Sequence, residues 1–179
     1  MSIGRLADHV TTAANGPAVT RVRPAAPRDL NSVVALRVAL LREHPDHPVY
    51  GRLRTDLDRR ARDLFSAQIR STTETILLAE LGGDVVGILR CVESIGSPLL
   101  DPERYAYVSS AYVRPESRRR GVLRALVAEA ERWSRARGLD QMRLHNVAGS
   151  VEAERAWDAL GFTVVEQVRL REFGAPPVR

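Results

Sequence analysis

Residues 75–92 constrain the fold most. Two β-rich runs, Thr75–Leu81 and Val85–Val92, flank Gly82-Gly83-Asp84, residues that tolerate the positive φ of a tight hairpin turn. Around this hairpin the hydrophobic period changes in a regular order. Residues 19–24 alternate as a short strand, and Pro27 then suits the first turn of a helix. That helix is predicted from Pro27 to Arg42, with Leu30, Val33, Val34, Leu36, Leu40 and Leu41 as its apolar face, and the two prolines of EHPDHP stop it. A second helix is predicted over Leu53–Arg70, where Leu53, Leu57, Ala61, Leu64 and Gln68 stack and Phe65 and Ile69 widen the stripe.

Beyond the hairpin comes a strand over Tyr105–Val113, which Arg114-Pro115-Glu116-Ser117 breaks. A helix follows from Gly121 to Gly138, with Val122, Leu126, Ala130 and Trp133 on its buried stripe. Then come a strand over Leu139–His145, a helix over Val151–Leu160 with Ser150 as a candidate N-cap, and a last strand over Thr163–Phe173. The order is strand, two helices, hairpin, then β-α-β-α-β. It predicts an α/β fold, a mixed sheet with helices packed on both faces.

A chain of 179 residues is the size of one domain. The expected organisation is a flexible arm over residues 1–18, one domain over 19–173 and a frayed tail over 174–179. No stretch approaches the roughly 18 apolar residues of a membrane span, and no signal-peptide core is visible, so a cytoplasmic protein with no membrane partner is expected. The single cysteine, Cys91, excludes an intrachain disulfide and cysteine-rich zinc sites; it lies in an apolar strand and reads as core.

All 27 basic residues are arginine. Lysine Schiff-base chemistry and a Walker-type phosphate loop are thereby excluded. The net charge of +5, concentrated in arginine clusters at 52–62 and 114–124, favours an anionic partner: nucleic acid, an acidic membrane or a phosphorylated small molecule. With aromatics at 5% and no helix-turn-helix or zinc-finger pattern, nucleic acid is not the expected one.

The passage from Tyr112 to Leu126 carries the most chemistry. A strand runs through a short basic loop into a helix that opens at a glycine. Free N–H groups and the positive end of the helix dipole make an anion site there, reinforced by Arg118, Arg119, Arg120 and Arg124. A diphosphate fits such a site, and Gly121 allows the backbone to approach a ligand. A solvated basic turn before an amphipathic helix is the alternative reading of the same residues.

Arg118-x-x-Gly121-x-Leu123, following Ala111-Tyr112-Val113-Arg114-Pro115-Glu116, resembles the acetyl-CoA signature of the GNAT acetyltransferase superfamily, Arg/Gln-x-x-Gly-x-Gly/Ala. Leu123 departs from the small residue of the sixth position. The likeness extends over roughly residues 19–172: the segment Arg23 to Leu30 resembles the family's opening strand and helix, Ala79 to Ile88 its second hairpin, and Ala153 to Phe162 its last helix. It implies the GNAT fold, a mixed and mostly antiparallel sheet splayed between the fourth and fifth strands, with acetyl-CoA as cosubstrate in the splay.

The resemblance places the pyrophosphate at the Arg119–Arg124 turn, including Arg120, Gly121, Val122 and Leu123. Arg118, Ala111, Tyr112 and Val113 join the cosubstrate site, and the pantetheine arm pairs with the backbone of Tyr112 and Val113. Ser150 and Trp157 complete it. Ser150 stands where many relatives carry Asn, and either hydrogen-bonds or caps the helix. Trp157 stands where many carry a Tyr that protonates the departing thiolate; an indole N–H is no useful acid, so Trp157 reads as packing on the 153/156/157/160 face.

For catalysis the candidates are Tyr112, Tyr107 and Ser109, on the strand that borders the reacting centre in this family. Strict alternation puts Tyr105, Tyr107, Ser109 and Ala111 on one face and Val108, Ser110 and Tyr112 on the other. His145 offers a near-neutral base or a structural hydrogen bond. His44, Asp46 and His47 lack rigid ligand spacing, so no metal is expected. The implied reaction is acetyl transfer to an amine in a ternary complex, the amine belonging to a small molecule or to a protein N-terminus or side chain. The acceptor is expected across the first two helices and the His44–Tyr50 loop, and a homodimer is compatible with the family. A GNAT-like acyl-CoA binder without catalysis and an Arg-rich nucleic-acid binder are the other readings.

Overall fold

The computed structural model describes residues 20–173. The predicted arm at 1–18, Val19 at the start of the first strand, and the tail at 174–179 lie outside them. Two compact units divide at Leu144 and His145, and each is described by itself.

The first unit is built on a five-stranded sheet in the order β1-β2-β3-β4-β5, comprising β1 (Arg21–Pro24), β2 (Glu74–Leu81), β3 (Asp84–Ile95), β4 (Arg104–Val113) and β5 (Met142–Leu144). The first four strands pair antiparallel and β5 joins β4 in parallel, giving the predicted mixed sheet. At the β2–β3 turn Leu81 faces Asp84, and Gly82 and Gly83 have φ of 63° and 94°, the two positive values that a two-residue turn of this kind requires. β1 is held at its end by Arg23, which binds Asp29 at 2.7 Å and Glu80 at 2.7 Å. Asp29 also accepts the Ala26 N–H at 2.8 Å and so fixes the turn into the first helix.

On one face of the sheet lie α1 (Leu30–Arg42) and α2 (Leu57–Gln68). Val33, Val34, Leu36 and Val38 of α1 and Ala61 and Phe65 of α2 close a core over Ile76, Leu78, Ile88 and Tyr112. The other face receives α3 (Val122–Arg135), whose Val122, Leu126, Ala130 and Ser134 are buried. Cys91 is buried on this side with its thiol 3.7 Å from Ser134 Oγ, and desolvation pushes its pKa up. Helices thus cover both faces, as the sequence predicts.

The second unit contains α4 (Val151–Asp158). Residues 163–173, predicted as the last strand, form none: they carry no regular structure and expose Val164, Val165, Val168 and Phe173. The alternation is present, but a strand exists only through its ladder to a neighbour, and no ladder forms there among the described residues.

Candidate functional site

β4 meets β5 at only three positions: Ala106 with Met142, Tyr107 with Arg143 and Val108 with Leu144. From Ser109 to Val113, therefore, the edge of β4 that faces β5 has no strand partner among the described residues. A bulge lies in the same stretch. Ile88 faces Tyr112 and Arg90 faces Ser109, so Leu89 alone spans Ser110 and Ala111, and Ser110 adopts φ 54°. An extra residue in one strand turns the following side chains over. Tyr112 consequently joins Tyr107 and Ser109 on the α1/α2 face, and Val108 faces α3 beside Cys91, where strict alternation had separated Tyr112 from the other two candidates.

β4 leaves the sheet through a 3-10 turn, Pro115–Ser117, into the basic loop. Arg118 does not project from that loop. Its Nε donates to the Val113 carbonyl at 3.1 Å, Nη2 pairs with Glu43 after α1, and its guanidinium lies 5.9 Å from the Tyr112 ring centroid. Arg119, Arg120 and Arg124 are exposed. Arg119 and Gly121 have φ of 59° and 80°. The glycine is the N-cap of α3 and no side chain caps it. The first helical hydrogen bond runs from Ala125 N–H to the Gly121 carbonyl at 3.0 Å, so the amides before it lack helical acceptors. These donors, the dipole and exposed arginines fit a diphosphate.

Val122 is buried and Leu123 half-buried. α3 reaches this position because Gly87 carries no side chain: a Cβ there would lie 3.1 Å from Val122 Cγ1 and 3.2 Å from Leu126 Cδ1. Sequence reasoning missed the role of Gly87 and that of Glu43. The bare glycine in an aliphatic strand was a visible signal; Glu43, distant in sequence from Arg118, gave none. A cleft of about 670 Å³ lies behind the basic loop, between the β2–β3 turn, Ser32, Arg114 and Arg120, away from the opened β4 edge.

Tyr112 is buried in the α1/α2 core, and Tyr107 is half-buried. Desolvation pushes both phenols above their ordinary values, with Glu43 adding to the effect at Tyr112 and Tyr50 at Tyr107. Ser109 Oγ accepts from Arg90 Nη1 at 3.1 Å. In the His44–Tyr50 loop, His47 Nδ1 accepts the N–H groups of Val49 and Tyr50, each at 3.1 Å, and its ring stacks on Tyr50 at 4.6 Å. His47 thus organises the turn.

In the second unit Ser150 is the N-cap of α4, but its hydroxyl makes no cap hydrogen bond; Glu154 reaches back to the Gly149 N–H at 3.2 Å instead. Trp157 meets Phe162 edge to face at 5.3 Å, and positions 153, 156, 157 and 160 are the half-buried ones of this segment. His145 is exposed.

Residues 37–162 match the family described as Acetyltransferase (GNAT). The chain belongs to the GNAT family. Aminoglycoside N(6')-acetyltransferase type 1 of Klebsiella aerogenes is 41% identical over 64 residues, a match covering 36% of this chain and 42% of that protein. The GNAT chain thus spans about two fifths of that relative's length. Among solved structures, an aminoglycoside N-acetyltransferase AAC(6')-Iy in complex with CoA superposes with a TM-score of 0.73 at 19% identity, covering 92% of this chain and 100% of that one. An acetyltransferase of Clostridium acetobutylicum with acetyl-CoA gives 0.67 at 16% identity, covering 86% and 96%. At these identities the likeness shows the fold. No group of three metal-ligating side chains occurs among the described residues, and no helix there is long and apolar enough to cross a membrane.

Proposed function

We propose that the protein is an N-acetyltransferase that moves the acetyl group of acetyl-CoA onto an amine by direct attack in a ternary complex. The observation that carries the reading is the unpaired β4 edge, Ser109–Val113, leading straight into the uncapped start of α3. One end offers backbone N–H and C=O groups to the amides of a pantetheine arm; the other offers helix amides, Arg119, Arg120 and Arg124 to its phosphates.

The chain's own groups then do the following. Backbone N–H groups near Val113 polarise the thioester carbonyl. A water positioned by Tyr107 or Ser109 takes the proton that the attacking amine gives up as the new C–N bond forms. Tyr112, a phenol and so protonated at neutral pH, supplies the proton that the sulfur acquires as the C–S bond breaks. No covalent enzyme intermediate is needed.

The test has two parts. Millimolar acetyl-CoA is expected to raise the melting temperature by mass action, and CoA release over a panel of amines is expected to identify an accepted class. An unchanged melting temperature together with no heat in calorimetry would overturn the cosubstrate assignment; binding without turnover on any amine would leave an acyl-CoA binder.

A further inference from the structure

Half-buried arginines are paired with carboxylates in much of this protein. Arg23 holds Asp29 and Glu80, Arg90 holds Glu74, and Arg118 holds Glu43. Arg143, held by the Gln141 side chain, departs from the pattern, and so does Arg37. Arg37 lies on α1 at i+3 and i+4 from Val34 and Val33, on the stripe that faces the sheet, yet no carboxylate among the described residues pairs with it. Helix α1 packs on β3 and β4, and Arg37 lies within electrostatic reach of Arg90 and Tyr50, while Tyr107 lies within reach of Tyr50, Tyr105 and Arg90. Burial pushes the Arg37 guanidinium below its ordinary value. A folding requirement alone would favour an apolar residue there, because a partly desolvated and unpaired cation costs stability.

The surrounding charges point the same way. On this face, the end of the sheet beyond Ile88 and Tyr112 presents Arg90 and Ser109, then Val92 and Tyr107, then Ser94 and Tyr105. Glu74 on this face is taken by Arg90. Arg143, opposite Tyr107 on β5, lies 4.0 Å over the Tyr105 ring and donates to the Gln141 side chain rather than to an acid. Around Tyr107 and Ser109 these groups therefore carry excess positive charge, whereas at Tyr112 Glu43 offsets Arg118. A polycationic amine would be repelled from such a surface, whereas an anion would be drawn to it.

We infer that the acceptor is an amine that also bears an anionic oxygen group, a carboxylate or a phosphate, and that Arg37 receives that group while the amine faces the β4 hydroxyls. The inference rests on the acetyltransferase reading of the same site. A guanidinium presents paired N–H donors to either oxyanion and fixes its orientation, which sets the distance from anion to amine. Arg90, braced by Glu74 and Ser109, adds field without leaving its partners.

The experiment measures acetylation of matched pairs: amino acids beside their amides and decarboxylated amines, with phosphoethanolamine to separate phosphate from carboxylate, and kanamycin and spermidine as polycations. The expected result is a preference of at least tenfold in kcat/KM for the anionic member of a pair. Arg37→Gln and the apolar Arg37→Met should abolish the preference, chiefly through KM, with acetyl-CoA affinity unchanged. A preference for the polycations, or a preference that survives both substitutions, overturns the inference. So does a loss of acetyl-CoA or succinyl-CoA affinity in place of acceptor discrimination, since Arg37 would then serve the donor.

Should acetyl-CoA bind while no amine of the panel reacts, glutarate and inorganic phosphate titrated into the acetyl-CoA complex decide. Binding that Arg37→Met removes supports the inference, and absence of binding to the wild-type complex overturns it. Failure of acetyl-CoA itself to bind is a different result, against the underlying function.

Discussion

Arg118 Nε donates to the Val113 carbonyl at 3.1 Å, which ties the first residue of the basic loop back onto the last residue of β4. The same side chain pairs with Glu43, so one guanidinium joins the exit of β4 to the end of α1. It acts as a brace for the loop whose backbone amides are proposed to face the phosphates. Arg118→Met should lower unfolding free energy by about 1–3 kcal/mol, the range for losing hydrogen bonds to a charged group in a partly buried setting. Glu43→Gln, which leaves the Val113 contact intact, should cost less. Urea unfolding of the two variants checks the order, and an equal cost would show that the ion pair, not the strand contact, holds the loop.

Gly121 has φ of 80°, and a Cβ built on it meets nothing within 4 Å. Its constraint is therefore the backbone angle and whatever occupies the space above it. Gly121→Val should destabilise the fold through left-handed strain of about 1–2 kcal/mol or more, which would confuse any reading of affinity. Gly121→Asn separates the two effects because Asn tolerates that angle. A folded Asn variant is expected to bind acetyl-CoA at least tenfold more weakly. Unchanged affinity by calorimetry would place the phosphates elsewhere.

Asp29 predicts a specific acid sensitivity. The Arg23 guanidinium bonded to it, aided by the Ala26 N–H against the opposing cost of burial, holds its pKa at about 2 where the ordinary value is 3.8. A folded-state pKa below the unfolded one means that the carboxylate stabilises the fold fully above the ordinary value. That contribution fades as pH falls from about 4 towards 2. The shift corresponds to about 2 kcal/mol at neutral pH. Asp29→Asn should lose that amount at pH 7 and converge on wild type as pH falls through about 2 in chemical unfolding; parallel pH profiles for the two proteins would contradict the assignment.

Much of this architecture is legible in the sequence because local chemistry decides it. Gly82-Gly83 closes the hairpin, and Val122, Leu126 and Ala130 at helical spacing bury α3 beside Cys91. What escapes is non-local. The bulge at Ser110 is invisible to a count of twos, yet it moves Tyr112 across the sheet into register with Tyr107 and Ser109. Likewise Arg118 reads as one more exposed cation until Glu43, 75 positions away, is seen against it. Residues 163–173 show the converse limit: the alternation of a strand is written there, but a ladder needs a partner that no alternation specifies. Arg37 was legible in principle, as a charge on an apolar stripe.

Catalysis offers the sharpest contrast among single hydroxyl deletions. Tyr112 is buried against the α1/α2 core near Arg118 and Glu43, while Tyr107 is half-buried further along the same face. A phenol is protonated at neutral pH and can give its proton to a thiolate as the thiolate forms. Tyr112→Phe should therefore reduce the single-turnover rate by roughly 10²–10⁴, the usual contribution of a general acid, while acetyl-CoA affinity changes little. Tyr107→Phe, removing a water-orienting hydroxyl, should have a smaller effect. Trp157→Phe removes volume and one N–H from a ring in contact with Phe162, and is expected to cost about 1–3 kcal/mol of stability but no catalytic proton. Rapid-quench measurements at fixed pH on folded, acetyl-CoA-saturated variants rank the three. A Trp157→Phe loss on the scale of a general acid, with both tyrosine variants active, would move the proton donor off β4 altogether.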